Sequence, residues 1–240
     1  MTRARASALV VLALVVAAGV AIELRPGSAN LAPRSPSDRP TLLLLTSLPI
    51  VFGEDFSLKG GGSPALTALE TRYRVVPVNS AASAELLKGK MLLMAHASAQ
   101  TPENLVALDQ WVRDGGRVLL LADPMLEWPN SRPLGDPLRP SPMFPDTGLL
   151  AHWGLRLDAP DQPGPQLRQI DGLHVLTDSP GTLVGKCQIV SAGLVADCRI
   201  EKGRAIVIGD ADFLNAERLG DEAKHNLDAL LDELAKLERE

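Results

Sequence analysis

The chain has 240 residues, a formal net charge of −5 and only 3% aromatic residues. This length fits one domain with a sizeable core, which leucine, valine, isoleucine and alanine must build because aromatic side chains are few. An acidic chain is a poor partner for phosphate backbones, and few rings leave little surface for stacking bases or sugars, which argues against nucleic-acid binding.

The N-terminus carries a long uncharged stretch, residues 6–22, preceded by Arg3 and Arg5 and closed by Glu23. Because basic residues stay on the cytoplasmic side, residues 1–24 are predicted to be a membrane anchor, or alternatively a cleaved signal sequence. Residues 25–40, rich in proline, serine and arginine, are predicted to be a tether. We therefore expect a single-pass protein of the bacterial inner membrane with its C-terminal domain, residues 41–240, in the periplasm.

Apolar runs and helical patterns alternate from residue 41 onward. The pattern predicts strands in 41–50, 73–78, 90–96 and 117–123, and short helices in 63–73 and 81–89. The clearest helix is 101–116, which Thr101 caps and Gly115-Gly116 end. Such alternation predicts parallel strands with right-handed crossovers, and thus an α/β fold of the flavodoxin-like three-layer sandwich type.

The alternation stops after Asp123, where residues 124–145 form what we call the Pro-rich loop. It contains seven prolines, with Trp128, Met143 and Phe144 among them. So long a connection without secondary structure is usually functional. Two interpretations stay open: the loop folds back over its own sheet edge, or its apolar side chains form a docking surface.

Helix and strand patterns return after the Pro-rich loop. The predicted elements are a short helix in 146–154, antiparallel strands near 168–177, 185–191 and 194–200, a buried strand in 204–210 and an amphipathic helix in 221–240.

The two cysteines, Cys187 and Cys198, flank a predicted hairpin. If Ala192-Gly193 forms a two-residue turn, the two cysteines face each other on antiparallel strands, within disulfide range. A cross-strand disulfide is therefore predicted, with two unrelated thiols as the alternative.

Three stretches resemble one family together. Residues 91–124, "MLLMAHASAQTPENLVALDQWVRDGGRVLLLADP", are similar to a strand, helix, Gly-Gly and strand-Asp-Pro unit in the auxiliary, gliding-motility-type periplasmic domain of bacterial ABC-type transport systems. Residues 203–217, "GRAIVIGDADFLNAE", resemble its Gly-Asp-x-Asp-Phe segment, and Asn226 matches the asparagine that begins its closing helix. The resemblance implies a class I glutamine amidotransferase-like fold, and an ABC-type permease or ATPase or other envelope proteins as partners.

The same resemblance implies a catalytically inactive domain. In the amidotransferases a nucleophilic cysteine follows the strand that corresponds to residues 118–122, whereas this chain has Asp123-Pro124-Met125 there. Thiol catalysis needs a thiolate beside a base, and the sequence supplies no such pair.

Three carboxylates, Asp123, Asp210 and Asp212, are expected at the carboxyl edge of the sheet, where open α/β folds bind ligands. The preferred interpretation is that they cap backbone amides of the following loops. The alternative is a Mg²⁺ site of a hydrolase or phosphatase. The run "AIVIGDADF" also resembles the start of haloacid-dehalogenase-like phosphatases, although only 28 residues follow Asp212.

His96 and Ser98 lie after the third strand without a Gly-x-Ser-x-Gly elbow, so catalysis by this pair is not expected. The sequence thus predicts a non-enzymatic, membrane-tethered binding or scaffold domain without cofactor or metal; the alternative is a Mg²⁺-dependent hydrolase. The residues predicted to contact a ligand or partner are Asp123, Trp128, Met143, Phe144, Asp210, Asp212, His96 and Ser98.

Overall fold

The computed structural model describes residues 31–51, 62–133 and 135–239. The predicted anchor and the first part of the predicted tether, residues 1–30, lie outside these ranges. The last part of the predicted tether contacts the domain, since Arg34 Nη1 lies 2.7 Å from Glu238 Oε1 and Arg72 donates to the Ala32 carbonyl.

The strands and helices of the described ranges follow the predicted alternation in the first half of the domain. The strands are β1 (Thr41–Thr46), β2 (Arg74–Pro77), β3 (Met91–Ala95), β4 (Arg117–Leu121), β5 (Leu155–Asp158), β6 (Pro165–Ile170), β7 (Leu173–Asp178), β8 (Thr182–Gly185), β9 (Gln188–Val190), β10 (Val195–Ile200) and β11 (Gly203–Ile208). The α-helices are α1 (Pro64–Glu70), α2 (Ser83–Leu86), α3 (Pro102–Arg113), α4 (Leu149–His152), α5 (Ala216–Leu219) and α6 (Asn226–Glu238).

The helix signals read from the sequence correspond to real caps. Ser63 accepts a hydrogen bond from the Leu66 amide at the start of α1, and Thr101 accepts one from the Asn104 amide at the start of α3. The first turn of a helix has backbone amides without a partner inside the helix. The hydroxyl accepts from one of them, and the proline has no amide hydrogen that would need a partner, which explains why both helices begin where predicted.

The helices also correct the predicted membrane placement. None of those in the described ranges is long and apolar enough to cross a membrane. The longest of them, α6, has 13 residues and therefore spans about 20 Å, whereas the hydrocarbon core is about 30 Å thick. The prediction of a single-pass, inner-membrane protein with a transmembrane helix and a periplasmic domain is corrected accordingly, and the segment on which it was based lies outside the described residues.

A seven-stranded sheet in the order β2-β1-β3-β4-β11-β10-β9 forms the centre of the fold. The pairs β1–β2, β1–β3, β3–β4 and β4–β11 are parallel, and β10 joins β11 and β9 in antiparallel pairs. The domain is therefore α/β with a mostly parallel sheet, as predicted, and the antiparallel strands extend one side.

Continuous apolar runs in the parallel strands pack on both faces of the sheet. In β1, Leu42 and Leu44 contact the layer that contains α1 and α6, while Leu43 and Leu45 contact the layer that contains α3 and α4. Strands covered on both sides need no polar face, which explains runs such as "TLLLL". The predicted inward residues of α6 behave similarly: Leu230, Leu231, Leu234 and Leu237 are buried.

The structure differs from the prediction in the second half of the domain. The segment near 168–177 is not one strand but the hairpin β6–β7, with Ile170 paired to Leu173 across the turn Asp171-Gly172. Both turn residues have positive φ, which is the geometry of a tight type I′ turn. Strands β5 and β8, which the sequence analysis did not predict, form a further two-stranded sheet.

The predicted disulfide is confirmed. Cys187 and Cys198 are bonded, with their Cα atoms 4.8 Å apart. The pairing of Val190 with Val195 and of Gln188 with Asp197 gives the register predicted from an Ala192-Gly193 turn. Ala192 and Gly193 both have positive φ, which gives the turn a twist that matches the right-handed twist of the two strands it connects.

Candidate functional site

Carboxylates gather at the carboxyl edge of the sheet. Asp123 follows β4, while Asp210 and Asp212 follow β11, which is the parallel neighbour of β4. All three side chains are fully buried. The adjacent strand ends therefore bring the three predicted residues into one cluster.

Backbone amides bind Asp123 and Asp210 through both of their carboxylate oxygens. Asp123 Oδ1 accepts from the Met125 amide at 2.9 Å, and Oδ2 accepts from the amides of Ala211 and Asp212 at 2.8 and 3.3 Å. Asp210 accepts from the amides of Phe213 and Asp178 at 2.7 and 2.9 Å. In these hydrogen bonds the carboxylates cap backbone amides, which is the interpretation that the sequence analysis preferred.

Asp212 makes one such bond and approaches a cation. Its Oδ2 accepts from the Glu127 amide at 2.6 Å, and its Oδ1 lies 3.6 Å from Arg218 Nη2. The same guanidinium nitrogen donates to Asp178 Oδ2 at 2.8 Å. Asp178 and Arg218 thus belong to the cluster although the sequence analysis missed them. The strand-ending "VLTD" of β7 carries the same signal as "LLAD" of β4 and was available to find Asp178.

Burial dominates the electrostatics of this cluster. It raises the pKa of Asp123 to about 6 and that of Asp212 to about 7, with the charge of Asp123 adding to the rise at Asp212. Burial and the Asp123 charge also raise the pKa of Asp210 well above its ordinary value. Carboxylates that are withdrawn from water and close to one another resist ionisation, so this cluster holds protons more firmly than exposed aspartates do.

The cluster does not have the arrangement of a metal centre. Across residues 31–51, 62–133 and 135–239, no group of three or more His, Cys, Asp or Glu side chains is arranged to hold a metal ion. A divalent cation needs several free oxygen ligands, whereas amides already bind both oxygens of Asp123 and of Asp210.

His96 and Ser98 have different environments. His96 follows β3 with a positive φ; it is fully buried, and its Nε2 lies 2.8 Å from the Ser141 carbonyl oxygen. Burial lowers the pKa of His96, so the neutral imidazole donates to the Pro-rich loop. Ser98 is exposed. The structure therefore gives His96 a role in holding the loop.

The Pro-rich loop crosses the sheet edge from one face to the other. Trp128 packs against the core on the α1 and α6 side, whereas Phe144 packs on the opposite side and makes an edge contact with the His96 ring, 6.3 Å between centroids. Met143 is 58% exposed and Leu138 is 65% exposed. Two aromatic rings therefore cover the sheet edge, as the first interpretation predicts. Other apolar side chains face outward, and the docking surface stays a prediction.

A cavity of about 610 Å³ lies where the Pro-rich loop meets the carboxyl ends of β1 and β2. Four prolines and several aliphatic side chains line it, together with the polar residues Thr46, Ser47, Asn79, Asn130, Ser131, Arg132 and Asp136. Arg132 Nη1 is 3.4 Å from Asp136 Oδ2, so the two formal charges among the described lining residues offset each other. The sequence analysis named none of these polar residues, because the end of β1, the loop after β2 and the Pro-rich loop that carry them are far apart in the chain.

Comparison with known proteins bears on the fold alone. No protein-family profile matches the sequence, and no curated protein matches it either. A similar solved structure is the exo-β-1,4-mannosidase Op5Man5 from Opitutaceae bacterium strain TAV5, with a TM-score of 0.50 and 14% identity over 80% of this chain and 35% of the enzyme. A second is Gan42B, a GH42 β-galactosidase from G. stearothermophilus, with a TM-score of 0.46 and 14% identity over 83% of this chain and 30% of that one. A third is the cytoplasmic protein STM1381 from Salmonella typhimurium LT2, with a TM-score of 0.49 and 11% identity over 72% of this chain and 85% of that one. The chain spans about a third of the length of the two glycosidases.

These comparisons correct the resemblance to the auxiliary domain of ABC-type transport systems. No family profile supports it, and the similar structure with a TM-score of 0.50 is described as an exo-β-1,4-mannosidase. The physical reason is visible in the site: Asp123 and Asp210 end strands and bind the amides that follow. Any α/β sheet with such strand ends favours the same short motifs, so the motifs carry no family identity.

Proposed function

We propose that this chain is a non-catalytic binding domain that takes an uncharged peptide segment of a partner protein in the cavity beside the Pro-rich loop. The observation that carries the proposal is the cavity itself, which has the size of a typical ligand site and lies at the carboxyl edge of a parallel sheet. As part of the same proposal, the fold is flavodoxin-like and of the class I glutamine amidotransferase type. The order β2-β1-β3-β4-β11 supports it, because it matches the flavodoxin order 2-1-3-4-5.

The lining chemistry favours a peptide segment over other ligands. Asn79 offers an amide with donor and acceptor, which matches the groups of a peptide backbone, and Asn130 offers the donor of its amide, since its Oδ1 already accepts from the Arg132 backbone amide. Arg132 and Asp136 neutralise each other, so neither an anion nor a cation is preferred. The described lining has no aromatic ring, and rings are the usual platform for stacked bases.

The residues available for chemistry support a non-catalytic role. Both cysteines of the chain are consumed in the disulfide, so no thiol remains for an amidotransferase reaction. A glycosidase needs two carboxylates that flank the bond to be cleaved, whereas Asp123, Asp210 and Asp212 are fully buried. We therefore do not extend the activity of the similar glycosidases to this chain.

The test is an NMR titration of the ¹⁵N-labelled protein with the capped, uncharged probe N-acetyl-leucinamide. We expect chemical-shift changes at the amides of Val78, Asn79 and Asn130, and Asn79→Ala should weaken binding about fivefold, the effect of one lost hydrogen bond. Gln110→Ala, on the exposed side of α3, is the matched control and should bind like the wild type. Shifts confined to other surfaces, or equal binding by both variants, would reject this site.

A further inference from the structure

One carboxylate oxygen of the buried cluster has no hydrogen bond. Asp123 and Asp210 accept backbone amides through both oxygens. Asp212 accepts one through Oδ2, but its Oδ1 is buried without a hydrogen-bond partner in the described part of the chain. A charged oxygen that is buried without a hydrogen-bond partner is costly, and a proton at that position removes the charge.

The charge balance around Asp212 favours the same proton. Asp178 and Asp212 share one guanidinium, Arg218, which approaches both through Nη2. The charges of Asp123 and Asp178 also act on Asp212, and those of Asp123 and Asp212 act on Asp210. Four carboxylates against one cation leave an excess of negative charge in a site with little water.

We propose that the folded protein holds one proton on Asp212 Oδ1, and that release of this proton as pH rises through neutrality loosens the Pro-rich loop. The neutral carboxyl group keeps the Glu127 amide on Oδ2 and removes one negative charge from the cluster. The ionised group adds repulsion within the cluster. Because Asp123 and Asp212 bind the amides of Met125 and Glu127, that repulsion acts on the first turn of the loop.

Asp212 differs from its neighbours in the number of amides that it binds. Burial raises the pKa of Asp210 and of Asp123 as well, but each amide bond stabilises the ionised form of its acceptor. Asp210 receives two amide bonds and Asp123 three, whereas Asp212 receives one.

The direction of the pH effect follows from linkage. The pKa of Asp212 is about 7 in the folded protein and about 3.9 in an unfolded chain. The folded state therefore binds more protons between these values, so the stabilisation is fully present below about pH 4 and is lost as pH rises toward 7. One such proton changes the unfolding equilibrium constant by up to about tenfold per pH unit. His96, whose pKa is lowered by burial, acts in the opposite direction, so only a difference between variants isolates Asp212.

The experiment compares urea unfolding of the full chain at about pH 5, 6 and 7, the window that linkage defines. Asp212→Asn keeps an acceptor for Glu127 and carries no titrating proton. As pH rises, the unfolding equilibrium constant should increase less for Asp212→Asn than for the wild type, by a factor of up to about ten per pH unit. Asp161→Asn, at an exposed position, is the matched control and should retain the wild-type slope. An Asp212→Asn slope equal to that of the wild type would overturn the proposal.

A second measurement uses the wild type and remains informative if Asp212→Asn does not fold. The ¹³C resonance of the Asp212 carboxyl group should titrate near pH 7, and the hydrogen-exchange protection of the Glu127 amide should fall over the same range. A carboxyl midpoint near the unfolded value of about 4 would overturn the assignment. Neither measurement involves a ligand, so failure of peptide binding and failure of the proton site are distinguishable.

Discussion

Asn226 is the residue whose replacement we expect to be most informative about the stability of the fold. It is fully buried at the start of α6, and its Nδ2 donates to the carbonyls of Leu176 and Phe213 at 2.7 and 2.8 Å. Its Oδ1 accepts from the Leu176 amide at 2.9 Å. One side chain therefore joins α6 to β7 and to the turn that follows β11.

Asn226→Leu preserves the approximate volume and removes all three bonds. Each backbone group left buried without a partner costs about 1–3 kcal/mol, so we expect a loss of about 3–5 kcal/mol in the free energy of unfolding after partial relaxation. Urea unfolding followed by circular dichroism measures this loss. With a slope near 2 kcal/mol per molar urea, the midpoint should fall by about 2 M.

The control is the same change at Asn104, a half-buried residue of α3. Its side chain has no hydrogen-bond partner in the described ranges, so Asn104→Leu should shift the midpoint far less. If the free energy of unfolding of Asn226→Leu lies within about 1 kcal/mol of the wild-type value, the three hydrogen bonds do not stabilise the contact between these elements.

Three further outcomes are expected. Reduction of the Cys187–Cys198 disulfide should cost about 3 kcal/mol, because it closes a loop of sequence separation 11; unfolding with and without reductant measures this, and an unchanged midpoint would contradict it. Gly203→Ala should destabilise by about 3 kcal/mol or more in a thermal melt, since the added Cβ meets backbone carbonyl oxygens at 1.9 and 2.4 Å; a melting temperature equal to that of the wild type would show that the backbone yields. Calorimetry with Mg²⁺ should give no binding heat, because amides bind both oxygens of Asp123 and of Asp210; tight binding abolished by Asp210→Asn would instead favour the hydrolase.

The predicted elements that proved correct are those with strong local signals. The apolar runs of β1, β3 and β4, the caps of α1 and α3 and the disulfide register all follow from residues within a few positions of one another. Short strands such as β5 carry no such signal, and the strand predicted near 168–177 is a hairpin because one Asp-Gly turn interrupts it. The family resemblance rested on strand ends followed by aspartate, which loop capping alone can favour, and no family profile supports it.

The sequence by itself determined the parallel core, the place where its regular alternation ends and the pairing of the cysteines, because each depends on the local periodicity of apolar side chains or on a turn of fixed length. Only the tertiary structure decided which amides bind Asp123, Asp210 and Asp212, that Asp178 and Arg218 join them, and that the Pro-rich loop borders a cavity at the ends of β1 and β2. These contacts join residues as far as 89 positions apart in the chain. The protonation of a carboxylate depends on the distances to its neighbours and on the exclusion of water, and folding alone sets both.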